Sequence, residues 1–81
     1  MDVVEYTEFL VKELVKDPES IKVECFESDE DTKIIEIIVS ENDMKNIIGK
    51  NGKNASALRT IIQAFAYVKG MKKLKINIDS Y

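Results

Sequence analysis

The residues best suited to chemistry in this chain lie in one stretch, Ile47-Ile48-Gly49-Lys50-Asn51-Gly52-Lys53-Asn54-Ala55. Two glycines three positions apart let a backbone turn sharply and leave no side chain over the turn. Such a turn, running into a helix, brings N–H groups to one spot and makes a natural seat for a phosphate. Lys50 and Lys53 add mobile positive charge, and Arg59 follows roughly two turns along the helix. A plain helix–turn–helix connection with exposed lysines needs only one flexible residue. Here two glycines are interleaved with lysines after a paired isoleucine. A nucleotide-binding P-loop fails on the same residues. Its pattern requires glycine where Ile47 stands, Ser or Thr where Asn54 stands, and a strand rather than a helix leading in.

Other chemistries find little to work with. Histidine is absent and Cys25 is the single cysteine, which excludes intrachain disulfides, Cys/His zinc sites and histidine-based triads. No metal, cofactor or catalytic residue is expected, and the abundant carboxylates occupy helix and loop positions typical of solvated charge. The lone thiol is expected on a core face and fits a reducing cytoplasm. The opening Met1-Asp2 carries acid where a signal peptide needs positive charge, and no apolar run is long enough to span a bilayer.

The elements that position the glycine loop follow from periodicity. With 81 residues, 44% hydrophobic and 33% charged, the chain is expected to form one domain, residues 1–81, around one core. Asp2 to Lys16 reads as an amphipathic helix with Val3, Tyr6, Leu10 and Leu14 on its apolar stripe and Phe9 beside them. Glu8 and Lys12 are spaced for a helical ion pair, and Asp17-Pro18 ends the helix. From Ile21 the period becomes two: Ile21, Val23 and Cys25 face one way, Lys22, Glu24 and Phe26 the other. Ser28 to Thr32 is an acidic turn. Lys33 to Val39 is a second strand with Ile35, Ile37 and Val39 on one face and Ile34 and Ile38 flanking Glu36 on the other. A short helix leads to the glycines. The next helix buries Ala55, Leu58, Ile61, Ile62, Phe65 and Val68 and stops at Gly70. Leu74, Ile76 and Ile78 alternate along a last strand from Lys73 to Asp79. The order is helix, strand, strand, helix, helix, strand. A hairpin plus a helical crossover predicts an α+β fold, a mixed three-stranded sheet with three helices on one face.

The net charge of −3 argues at first against a nucleic-acid ligand. It divides unevenly, however: residues 1–43 carry a balance of −10, and residues 44–81 a balance of +7. The positive half contains the glycine loop, so an anionic ligand is confined to one end of a polarised chain.

The stretch from Ile47 to Ala55 resembles the I-G-x-x-G signature of KH domains, and the element order is that of the type II KH fold. Gly49 through Thr60 is similar to the corresponding run in the small stand-alone bacterial KH proteins of the KhpA (YlqC) family, and the resemblance covers the whole chain. It implies non-catalytic binding of single-stranded RNA, about four nucleotides at the glycine loop. One wall of the groove would be the two helices joined by that loop; the other would be the sheet edge and the loop between the first two strands. By the same correspondence Gly49, Lys50, Asn51 and Gly52 hold the sugar-phosphate backbone, and Lys53 and Arg59 add phosphate attraction. Ile48 is the candidate for the apolar groove floor and Ile47 for the core, with the two open to exchange; Ile38 or Ile34 would extend the floor. The acidic turn beside such a groove would repel phosphates unless it points to solvent. The family's role is that of an RNA chaperone or post-transcriptional regulator. Its members form homodimers and pair with a second KH protein of the KhpB (Jag) kind, which leaves a protein-interaction subunit as the alternative reading.

Overall fold

The computed structural model describes every residue of the chain except Glu30, which belongs to the acidic turn expected at Ser28 to Thr32. The first helix, α1, spans Val3–Leu14. It is closed at its start by a capping box: Glu5 N–H donates to the Asp2 carboxylate at 2.8 Å, and Asp2 N–H donates to the Glu5 carboxylate at 3.2 Å. Val15 is already extended, and Pro18–Ser20 form a single 3-10 turn. Strands β1 (Lys22–Glu27) and β2 (Thr32–Val39) make the expected antiparallel hairpin, with Cys25 opposite Ile35 and Val23 opposite Ile37. A 3-10 turn at Glu41–Asp43 leads into the five-residue helix α2, Met44–Ile48. A second such turn, Lys50–Gly52, joins it to α3, Lys53–Val68. Strand β3, Lys73–Ser80, lies parallel to β2, so the sheet order is β1-β2-β3 and the third strand forms an edge.

One face of this sheet carries the core. Ile35, Ile37, Val39 and Ile76 are buried against Val3 and Val11 of α1, Ile47 of α2, and Leu58, Ile62 and Ala66 of α3. The three helices therefore cover a single face, as the alternation of β2 and β3 predicts.

Several side chains depart from expectation. The buried line of α1 is Val3, Thr7 and Val11, an i, i+4, i+8 series displaced from Tyr6, Leu10 and Leu14, which are half-buried at its margin. Thr7 is accommodated because its hydroxyl donates to the Val3 carbonyl at 2.7 Å. Phe9 is 53% exposed. In α3, Ile61 and Val68 are exposed; the buried line is Ala55, Leu58, Ile62 and Ala66. Cys25 is on the helix-facing side of β1, yet it is exposed, since β1 is an edge strand and the residue borders an open cleft with Val3, Lys33, Lys69 and Met71. Glu8 and Lys12 do not form an ion pair; among the described residues the pairs are Lys22–Glu24 at 2.8 Å and Lys33–Glu27 at 4.0 Å.

The fold sets the glycine loop and the acidic turn far apart. Helix α3 has 16 residues, so its ends are separated by about 24 Å. Its start carries the glycine loop, and its end returns to the beginning of β3. Asp31, at the start of β2, borders Lys69, Gly70, Met71, Lys72 and Lys73 at that second end.

Candidate nucleic-acid interface

The loop is built from three departures from ordinary backbone within four residues. Gly49 has φ 75° and ψ 176°, Asn51 φ 58° and ψ 27°, and Gly52 φ 74° and ψ 14°. The first combination is essentially restricted to glycine. The second suits asparagine, which tolerates the left-handed region better than most residues. Gly49 N–H closes α2 on the Lys45 carbonyl at 2.9 Å, and Gly52 N–H donates to the Gly49 carbonyl at 3.2 Å. The result is a compact step between two helices, open at Gly52 and packed against the Asn54 side chain at Gly49.

A small polar network fixes the angle between those helices. Asn54 Nδ2 donates to the Asn46 carbonyl at 2.8 Å, tying the first turn of α3 to α2 across the loop. Asn46 Nδ2 in turn donates to Asp43 at 2.9 Å. Asp43 is only 3% exposed and also accepts from the backbone N–H groups of Lys16 at 2.9 Å and Asp17 at 3.1 Å, where the chain leaves α1. These backbone donors, the Lys16 N–H foremost, hold its carboxyl below the ordinary aspartate range against the opposing effect of burial. Sequence reasoning missed Asp43, Asn46 and Asn54 as supports. The only local signal was an acidic residue at a helix start, because the backbone partners of Asp43, just beyond the end of α1, lie 27 and 26 residues away.

Around this frame the expected site residues fall into two groups. Lys50, Asn51 and Lys53 are exposed on the loop and first turn, with Gly49, Gly52 and Ile48 half-buried beside them. Ile47 is fully buried in the core, and Ile48 is half-buried outside the core cluster. Arg59 does not share a face with Lys53; it lies in line with Gly52 and Ser56 on the flank of α3, exposed. Ile34 and Ile38 are not brought to the loop. They lie on the sheet face opposite the helices, where strand alternation puts them with Phe26 and Lys22 of β1 and Lys75 and Asp79 of β3.

The start of α3 is electrostatically open. No side chain caps it, its first turn holds no acid, and Gly52 stands at the cap position. By contrast α1 satisfies its own first turn with Asp2 and Glu5. The positive end of the α3 dipole thus lies beside two exposed lysines, an arrangement that attracts a phosphate.

Helix α3 presents two unlike exposed shoulders. On the side of α1, a shallow recess lined by Leu10, Leu14, Ala57 and Ile61 continues into a second lined by Tyr6, Ile61, Ala64, Phe65 and Val68. The rings of Tyr6 and Phe65 stack there at 4.3 Å between centroids. On the side of β3, the exposed line is Ser56, Arg59, Gln63 and Tyr67, and Gln63 Nε2 reaches the Leu74 carbonyl at 3.4 Å.

Comparison with known proteins agrees with this architecture. Two solved structures of Era, one in complex with MgGDPNP and nucleotides 1506–1542 of 16S ribosomal RNA and one from Aquifex aeolicus, each superpose with a TM-score of 0.68 at 24% identity. The match covers 98% of this chain, which spans 30% of Era. The RNA-binding protein KhpA of Borreliella burgdorferi is 36% identical over 75 residues, 93% of this chain and 89% of that protein. The RNA-binding protein KhpA of Clostridium perfringens is 39% identical over 74 residues, 91% of this chain and 96% of that protein. Residues 4–78 match the family model described as KhpA/KhpB, KH domain. With the order of elements, the paired glycines and the relatives in agreement, the chain belongs to the KhpA/KhpB KH-domain family.

Proposed function

We propose that this chain is a non-catalytic, single-domain binder of single-stranded RNA that grips the sugar-phosphate backbone at Gly49, Lys50, Asn51 and Gly52. The observation that carries the reading is the junction itself: a tight glycine step that runs into the uncapped start of α3 beside two exposed lysines. Ile48 supplies apolar floor beside the step, and Lys53 and Arg59 add attraction for the phosphates on either side. The open outer edge of β3 offers N–H and C=O groups to base edges. With no tryptophan and 7% aromatic residues, contact is mostly apolar and electrostatic, so binding is weakly selective. Such a molecule fits an RNA chaperone or post-transcriptional regulator in the cytoplasm, needing no cofactor.

The test is Lys50→Asp combined with Asn51→Asp. Both sites are exposed, and aspartate tolerates the left-handed backbone at position 51, so the fold is expected to survive. Loss of RNA retention with an unchanged circular dichroism spectrum supports the assignment; undiminished retention removes it.

A second reading is favoured by the apolar shoulder between α1 and α3. Phe9, Ile61 and Val68 are exposed along it or at its margin, which suits self-association or pairing with a second KH protein of the KhpB kind. The two readings use different shoulders of α3 and are compatible.

A further inference from the structure

The far end of α3 carries a second basic cleft that the glycine loop does not explain. It is an opening of about 470 Å³ lined by Thr32, Gln63, Tyr67, Lys72, Lys73 and Lys75 among others. Tyr67 is 81% exposed, an aromatic ring presented to solvent at the rim of a lysine cluster. Lys72 and Lys73 have no carboxylate partner among the described residues. Buried packing does not account for such a ring, and a fully solvated lysine face does not require one.

We infer that this cleft is a second contact for the same RNA strand, with Tyr67 stacking on a base and Lys72 and Lys73 taking phosphates. The inference rests on the RNA-binding reading above and extends its footprint. The line Gly52, Ser56, Arg59, Gln63 and Tyr67 recurs at steps of three and four, so these residues share one flank of α3. From Lys53 to Tyr67 the helix rises by about 21 Å. A strand held at the glycine loop therefore reaches the cleft along a flank that carries Arg59 and Gln63 and no acid. The ring supplies what the loop lacks, a flat surface that accepts any base. Among the described residues, two acids stand at the cleft's border. Asp31 borders its lysines, and Asp29 stands near Lys75 with its carboxylate held by the backbone N–H groups of Asp31 and Thr32. This turn limits how far the strand runs beyond β3.

The experiment compares two single-stranded RNAs, one of about four nucleotides, the length a glycine loop of this kind clamps, and one roughly three times as long. The wild-type protein is expected to bind the longer strand more tightly. Tyr67→Ala should lose about tenfold in affinity for the longer strand and nothing for the shorter, and Tyr67→Phe should keep wild-type affinity. Lys72→Gln with Lys73→Gln should lower the salt slope on the longer strand by roughly 1.4, about 0.7 for each lost phosphate contact. Asp31→Asn should tighten binding of the longer strand. Equal affinity of wild type for both lengths, or an unchanged long-strand affinity in Tyr67→Ala, overturns the cleft while leaving the loop in place. A Tyr67→Ala protein with altered mass in solution and unaltered RNA affinity assigns the ring to a protein contact, which also overturns it. Failure of the wild-type protein to bind either strand removes the RNA-binding reading and this inference together.

Discussion

Gly49 and Gly52 both sit at positive φ, but the structure asks different things of them. A Cβ at position 49 would lie 2.6 Å from Asn54 Cγ, on the side chain that bridges α3 to α2. A Cβ at position 52 would meet nothing within 4 Å. Gly52→Ala is therefore expected to cost only the left-handed backbone penalty, about 1–2 kcal/mol. Gly49→Ala adds loss of the Asn54 hydrogen bond to a backbone region that alanine scarcely enters, for roughly 3 kcal/mol or more. Urea denaturation of the two variants checks the order; equal losses would mean that Asn54 does not hold the loop. The motif reads as two interchangeable glycines in the sequence. The position of Asn54 and the extended ψ of Gly49 distinguish a glycine needed for both space and backbone from one needed for its φ alone.

At the scale of elements, Asp43 is the joint between α1 and α2. Its carboxyl is stabilised in the charged form by donors that exist only when the chain folds, so its folded pKa lies below its unfolded value. The sign follows directly: the contribution is fully present above the ordinary aspartate pKa of about 3.9 and is lost as pH falls through the lower folded value. Asp29, held by two backbone N–H groups, acts in the same direction. Asp43→Asn should lower the melting temperature at about pH 7, and the variant and wild-type curves should begin to converge only as pH falls below about 4. Parallel curves across that range would deny Asp43 this role. Element order and sheet pairing were legible because β3 alternates cleanly, β2 is rich in β-branched residues, and the chain between them is helical. Side-chain burial was less so. Alternation says which way Cys25 faces and not whether a helix reaches far enough to cover it. The periodicity of α3 merges two adjacent arcs, one packed on the sheet and one left open at Ile61 and Val68.

For the whole molecule, the charge asymmetry and the apolar shoulder set how it meets partners. Val68 is 82% exposed, so Val68→Asp leaves the core intact. If the shoulder between α1 and α3 joins two copies, this variant should sediment as a monomer at concentrations where the wild-type protein is a dimer. A wild-type protein monomeric throughout would withdraw the self-association reading. The glycine loop itself was legible in the sequence as a sharp turn between two helices, since its backbone demands are local. The flank from Arg59 to Tyr67 was not, because its significance depends on β3 and Lys72–Lys73 folding back beside it.

The two shoulders of α3 have a consequence for valency. Copies joined by a two-fold axis along the apolar shoulder would leave the opposite flanks, those proposed to take RNA, facing outward. A pair arranged in this way would hold two RNA segments, or two stretches of one transcript, a fixed distance apart. The second segment would then bind at the effective concentration set by the first, so modest grip at each loop would sum to firm retention of long transcripts and leave short fragments free to exchange.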